Sequence, residues 1–134
     1  MHLTLTNRDF LIGKVVEPAF YDVVINEVEE SLSKAGDSTN WELKAEVLQN
    51  ADTGDKTNAG VPVPRWAFNS KAGGFVIPLY ASIDQELKPG DTLDLKQLKG
   101  QKVRLFIGND EYPPGSGTQV NSLGRNPKYR PING

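Results

Sequence analysis

Apolar and polar side chains alternate with a period of two over the first third of the chain. Tyr21, Val23 and Ile25 recur at every second position, and Trp41, Leu43, Ala45 and Val47 do so against Glu42, Lys44 and Glu46. Successive side chains of a strand point to opposite faces, so both runs predict half-buried strands. Between them, Ser33-Lys34-Ala35-Gly36-Asp37-Ser38-Thr39 has the small, polar composition of a loop joining antiparallel neighbours. Asn50-Ala51-Asp52-Thr53-Gly54-Asp55 supplies a second turn, and Val61 to Phe68 predicts a third strand. Its Pro62 and Pro64 lack the N–H that a ladder needs, which places that strand at an edge or a bulge.

The period then changes. Phe75, Leu79, Ile83 and Leu87 fall four apart, with Val76 and Tyr80 alongside, and this predicts a helix with one apolar face. Pro78 fits only in the first turn, so the regular helix is expected from about Ile77, ending at Lys88-Pro89-Gly90-Asp91. Val103, Leu105 and Ile107 make a fourth strand, Thr118 to Leu123 a weaker fifth, and Leu95 to Leu98 a short helical turn. The resulting order predicts a mainly β fold, a five-stranded OB-like barrel with one helix between strands 3 and 4. Such barrels bind oligonucleotides and oligosaccharides. The division expected is an N-terminal arm over 1–18, the barrel over 19–124 and a basic tail over 125–134.

A chain of 134 residues supports one core. No apolar span or leader-like segment occurs, so the expectation is a soluble, unprocessed protein without a membrane partner. The absence of cysteine removes disulfides, thiolate metal sites and cysteine nucleophiles, and fits a reducing cytoplasm.

A net charge of -2 argues against a strongly basic nucleic-acid binder, but the charge is unevenly spread. From Lys99 onward, Lys99, Lys102, Arg104, Arg125, Lys128 and Arg130 face only Asp110 and Glu111, a balance of +4 that leaves -6 on residues 1–98. A positive region on an acidic protein can follow a phosphate backbone, although each cation taken alone also reads as an ordinary solvated charge. On the fourth strand, Lys102, Arg104 and Phe106 share the face opposite the core set. An outward ring between cations is the arrangement of sequence-independent single-strand binders. The alternative is that Phe106 packs under the helix or the arm. In Arg65-Trp66-Ala67-Phe68-Asn69-Ser70-Lys71, Trp66 and Phe68 share one face and Arg65 and Asn69 the other, with Lys71 just before the helix. The ring pair is core or platform, and core is favoured because two large rings side by side anchor a small barrel. Arg125, Lys128, Tyr129 and Arg130 make the tail basic with one aromatic, either a binding segment or a loose end.

Enzyme chemistry finds little support. The one histidine is His2, no phosphate-loop motif occurs, and Asn50-x-Asp52-x-Gly54-Asp55 lacks the glycine and the final glutamate of a calcium loop. No cofactor is implied.

Several stretches resemble a known family. Asn7-Arg8-Asp9-Phe10-Leu11-Ile12-Gly13-Lys14-Val15-Val16-Glu17-Pro18, Ser33 to Asn40, Trp66-Ala67-Phe68-Asn69-Ser70-Lys71-Ala72 and Lys128-Tyr129-Arg130-Pro131 look like a family of small phage-encoded proteins. That family resembles the OB-fold single-stranded DNA-binding proteins of phage replication and recombination modules. The resemblance implies a viral DNA-binding protein acting in DNA replication or DNA recombination, in the cytoplasm of an infected bacterial host. It also implies replication or recombination proteins as partners, and DNA contacts at Asn69-Ser70-Lys71 and Lys128-Tyr129-Arg130. One departure bears on partners: many replication single-strand binders end in an acidic recruiting tail, whereas this chain ends Arg130-Pro131-Ile132-Asn133-Gly134. The competing expectation is a phage protein-interaction module, either a host-protein inhibitor or a virion component, with carbohydrate binding as a third.

Overall fold

The computed structural model describes residues 2–132, so Met1 of the arm and Asn133 and Gly134 of the tail lie outside the described residues. In chain order the elements are α1 (Asn7–Leu11), β1 (Ala19–Leu32), β2 (Thr39–Asn50), β3 (Ala67–Asn69), a 3-10 segment (Ser70–Phe75) and α2 (Val76–Ser82). A second 3-10 turn (Leu95–Leu98), β4 (Lys102–Glu111), β5 (Gln119–Ser122) and β6 (Tyr129–Arg130) complete them. The sheet runs β3-β2-β1-β4-β5, all antiparallel, with β6 also on β4, and it curls into a half-barrel. β3 and β5 are not paired with each other, so the curl stays open between them.

The alternating runs make the wall of the core. Val23, Ile25, Val47, Val103 and Leu105 are fully buried on the inner face, and Leu79 of α2 closes over them with Leu95 and Leu98. Two irregularities bend the β1–β2 pair, between Asp22 and Val23 and between Ile25 and Glu27. A bulge of this kind adds a residue to one strand, so the inward set on β1 resumes at Val28 opposite Leu43. The turn after β2 is held by Asn50, whose side-chain oxygen accepts from the amides of Asp52 and Thr53 at 2.9 and 3.1 Å.

The third strand is shorter than its apolar run. Only Ala67–Asn69 forms a ladder with β2, while Val61 to Trp66 follows β2 through separate bonds, Val63 N to Ala45 O at 2.9 Å and Leu43 N to Trp66 O at 2.8 Å. Pro62 and Pro64 have no N–H to give, which limits the pairing there to one isolated bridge at Pro62. The helix is also shorter. Its regular part begins one residue before Ile77 and stops at Ser82, because Asp84 takes φ +65 and the amides of Ile83 and Asp84 turn back to Tyr80 O and Ala81 O. Leu87 therefore lies in the following loop, half-buried against the core, and Phe75 precedes the helix with 45% exposure.

Each end segment is tied to the sheet by a side-chain hydrogen bond. Trp66 is 1% exposed in the core, and its indole Nε1 donates to the Tyr129 hydroxyl at 3.0 Å. Tyr129 sits opposite Leu105 in the β4–β6 pair. Burial pushes its phenol up to about 12. In the arm, Asn121 of β5 clamps Val16, accepting from its amide and donating to its carbonyl, each at 2.9 Å.

Two outcomes follow from this packing. Trp66→Ala should destabilise the fold by about 3 to 5 kcal/mol in denaturant melts, as the removal of a large buried ring does. Of the four tyrosines, Tyr129 should ionise last in an ultraviolet titration, with a midpoint near 12 against an ordinary 10.0. Since the folded phenol holds its proton above the pH at which the unfolded one loses it, this contribution to stability is complete below pH 10 and falls between pH 10 and 12. Tyr129→Phe should remove that alkaline loss, which melting at a series of pH values would read.

Candidate nucleic-acid interface

The outer face of the β1–β4 pair carries side chains that the core does not need. In register, Phe20 lies directly across from Phe106, Asp22 from Arg104 and Val24 from Lys102. These residues are one step out of phase with Tyr21, Val23 and Leu105, which are buried inside. The Phe20 and Phe106 rings meet edge to face, with centroids 5.3 Å apart and planes at 66°, and both are half-buried. Phe106 has its aromatic partner on the neighbouring strand and leans along its own strand over Gly108. A Cβ built at Gly108 would lie 3.1 Å from the ring, so a larger side chain here would press on it.

The tail reaches the same face. The amide of Phe106 donates to Lys128 O at 2.9 Å, and Arg104 pairs with Arg130 across β4 and β6. Alternation along this segment sends Tyr129 inward to Trp66 and leaves Lys128 and Arg130 exposed outside. Lys128 Nζ stands 5.9 Å from the Phe106 centroid, and the Arg130 guanidinium lies 4.0 Å from that of Phe20. Both are cation–π arrangements. A hollow of about 270 Å³ opens beside Phe106, lined also by Gly108, Asp110, Gly124, Asn126 and Lys128.

The other cations differ in how far they are committed. Arg104 is spent on Asp22, which is 7% exposed: its Nε donates to one carboxylate oxygen at 2.8 Å while Gln49 donates to the other at 3.0 Å. The hydrogen bond to Asp22 raises the Arg104 guanidinium above its usual range, so this charge is fixed. Lys71 bonds the Asp37 carboxylate, and that bond holds Asp37 below the ordinary value. Arg130 bonds Asp52 at 2.8 Å. Among the described residues Arg65, Lys102, Arg125 and Lys128 form no ion pair.

Arg65 and Arg125 come together elsewhere. With Phe75, Asn40, Asn69 and Pro127 they line a second hollow of about 420 Å³ on the β3 side of the barrel. Gly124 borders both hollows, and at φ +72 it makes the turn that sends the tail from β5 back across β4. The tail thus lies between the two hollows, with Arg125 and Pro127 facing one and Asn126 and Lys128 the other. Asn69 is structural in part: its amide donates to Ser38 and Asn40 at 3.0 and 2.7 Å and accepts from the Lys71 amide at 2.8 Å, fixing the loop between β1 and β2.

The sequence-predicted residues therefore divide. Lys102, Arg104, Phe106, Lys128 and Arg130 share one face, Arg65, Asn69 and Arg125 share a cleft, and Lys71 stands apart in the 3-10 segment after β3, bonded to Asp37 of the β1–β2 loop. Trp66 has no open ring face and leaves the set, and Tyr129 leaves it too, since its ring packs at 6.2 Å from that of Trp66. Trp66 is core and Tyr129 packs half-buried against it, each with its polar atom satisfied by the other. Phe20, Gly108 and Asp52 belong to the face and were not anticipated. Phe20 carried a readable signal, because it is out of phase with Tyr21, Val23 and Ile25 by the same rule that placed Phe106. The described residues include no cluster of ligands suited to a metal ion and no helix long and apolar enough to cross a membrane. No protein family, curated protein or solved structure matches the chain.

Proposed function

We propose that the chain binds single-stranded DNA without reading its sequence, as part of phage DNA replication or recombination in the infected host cytoplasm. The observation that carries this reading is the Phe20–Phe106 ring pair set on an outer sheet face between Lys128 and Arg130. Bases stack on such rings whatever their identity, each stack contributing about 1 to 3 kcal/mol, while cations follow the backbone. Of the cations singled out in the sequence for this site, Arg65, Lys102, Arg125 and Lys128 form no ion pair among the described residues, so a phosphate meets them without first breaking one.

The same proposal includes an OB barrel. β1 between β2 and β4, β3 beside β2, β5 beside β4, and a helix between β3 and β4 in the chain all support it. The OB face described in general terms lies on strands 2 and 3. Here that outer surface holds a Glu42–Lys44 ion pair at 2.8 Å, and the half-buried outer ring pair is on β1 and β4. The path is accordingly assigned across β4 and the tail.

A protein-interaction module is the second reading, and the arm favours it. Leu3, Phe10 and Ile12 are 87%, 69% and 59% exposed, more apolar surface than an unpartnered arm requires.

A fluorescence titration with labelled oligo-dT separates the two. Oligo-dT should bind more tightly than duplex of equal length, and log affinity should fall with log salt by about 2 to 3, that is roughly 0.7 for each of three or four phosphates. Equal affinity for duplex, or no binding at low salt, sinks the single-strand reading and favours the protein partner. Phe106→Ala should weaken oligo-dT binding about 5- to 100-fold, the equivalent of one stacked base. Lys128→Gln and Arg125→Gln should each lower the salt slope by about 0.7 with little change in melting.

A further inference from the structure

We infer that the open face of Phe20 is a nucleobase seat which the chain's own Arg130 fills in the free protein, and that Asp52 latches the guanidinium there until a single strand displaces it. The inference rests on the single-strand reading above. A guanidinium 4.0 Å from a ring centroid occupies the space in which a stacked base would lie, so the two exclude one another. Phe106 is covered differently. Lys128 Nζ stands farther off, 5.9 Å from the ring centroid against 4.0 Å for Arg130 on Phe20, and a hollow opens beside the ring, so the cover is looser there.

The latch is built into the turn after β2, which is bonded to the strand that carries the seat. The Ala51 amide donates to Phe20 O at 2.9 Å, and the Asp52 amide donates to the Asn50 side chain, also at 2.9 Å. Asp52 is therefore held beside Phe20 by the turn, and its carboxylate takes Arg130 Nη1 at 2.8 Å. The hold is a weak one by design of its surroundings: the Arg130 and Asp52 side chains are 47% and 61% exposed, and solvent screens such a pair. Arg130 also stands at the end of a two-residue strand, so it leaves without opening the core. Once displaced by a base, its guanidinium becomes a fifth cation for the backbone.

The test uses the full-length protein and labelled oligo-dT. Asp52→Asn should tighten binding about two- to fivefold, the factor expected on releasing one exposed ion pair. Asp110→Asn removes a carboxylate from the rim of the same face without touching Arg130, and should give a smaller gain. Independently, the Arg130 δ protons should be shifted upfield by the Phe20 ring in the nuclear magnetic resonance spectrum of the free protein, and should return toward ordinary values as oligo-dT saturates it. If oligo-dT binds but the two variants gain equally, or the Arg130 resonances stay shifted at saturation, the latch is overturned and the single-strand reading stands. If oligo-dT does not bind at all, both fall.

Discussion

The register between β1 and β4 governs both surfaces of this molecule. With Phe20 set against Phe106 and Asp22 against Arg104, the intervening positions bring Tyr21 to Leu105 and Val23 to Val103 inside the barrel. Because strand side chains alternate, a slip of β4 by one residue would send Val103, Leu105 and Ile107 outward and Phe106 inward. The core therefore enforces the outer arrangement. The Asp22–Arg104 pair adds a penalty of its own, since a buried carboxylate shifted out of reach of its guanidinium and of Gln49 would lie uncompensated.

A second dependence joins the tail to the middle of the chain. Trp66 buries its ring in the core and must satisfy one indole N–H, and the group that does so is the Tyr129 hydroxyl. That single bond fixes the inward side of β6, and alternation then leaves Lys128 and Arg130 no choice but the outer face. The position of the tail cations is in this sense a by-product of satisfying a buried donor, whose loss costs about 1 to 3 kcal/mol when unpaired.

How much of this was legible in the sequence follows from the range of the forces involved. β1, β2 and β4 declare themselves because half-burial imprints a local period of two, and the turn at Asn50 declares itself by composition. The third strand was overextended because apolar content from Val61 onward is real burial without a ladder, Pro62 and Pro64 having removed the donors. The helix was overextended because nothing near Asp84 announces a residue at positive φ. β6 is two residues long and exists only through its partners on β4, so no window of sequence contains it. Of the candidate site, Phe106 was placed outward by its phase, and Phe20 was readable on the same grounds. Trp66 reads as core from its place beside Phe68, whereas Tyr129 turns inward because its hydroxyl meets the Trp66 indole 63 residues away in the chain, a pairing no local window of sequence holds.

The two end strands of the sheet are short, three residues in β3 and four in β5, and the stretch leading into β3 has lost amide donors to proline. Edges so brief offer a neighbouring molecule little to template on. Under the single-strand reading many copies crowd along one strand at local concentrations far above those in bulk solution, the condition in which a long exposed edge would seed sheet-to-sheet aggregation. On that reading, end strands this short would let proteins gather at that density and still come apart when the strand is withdrawn.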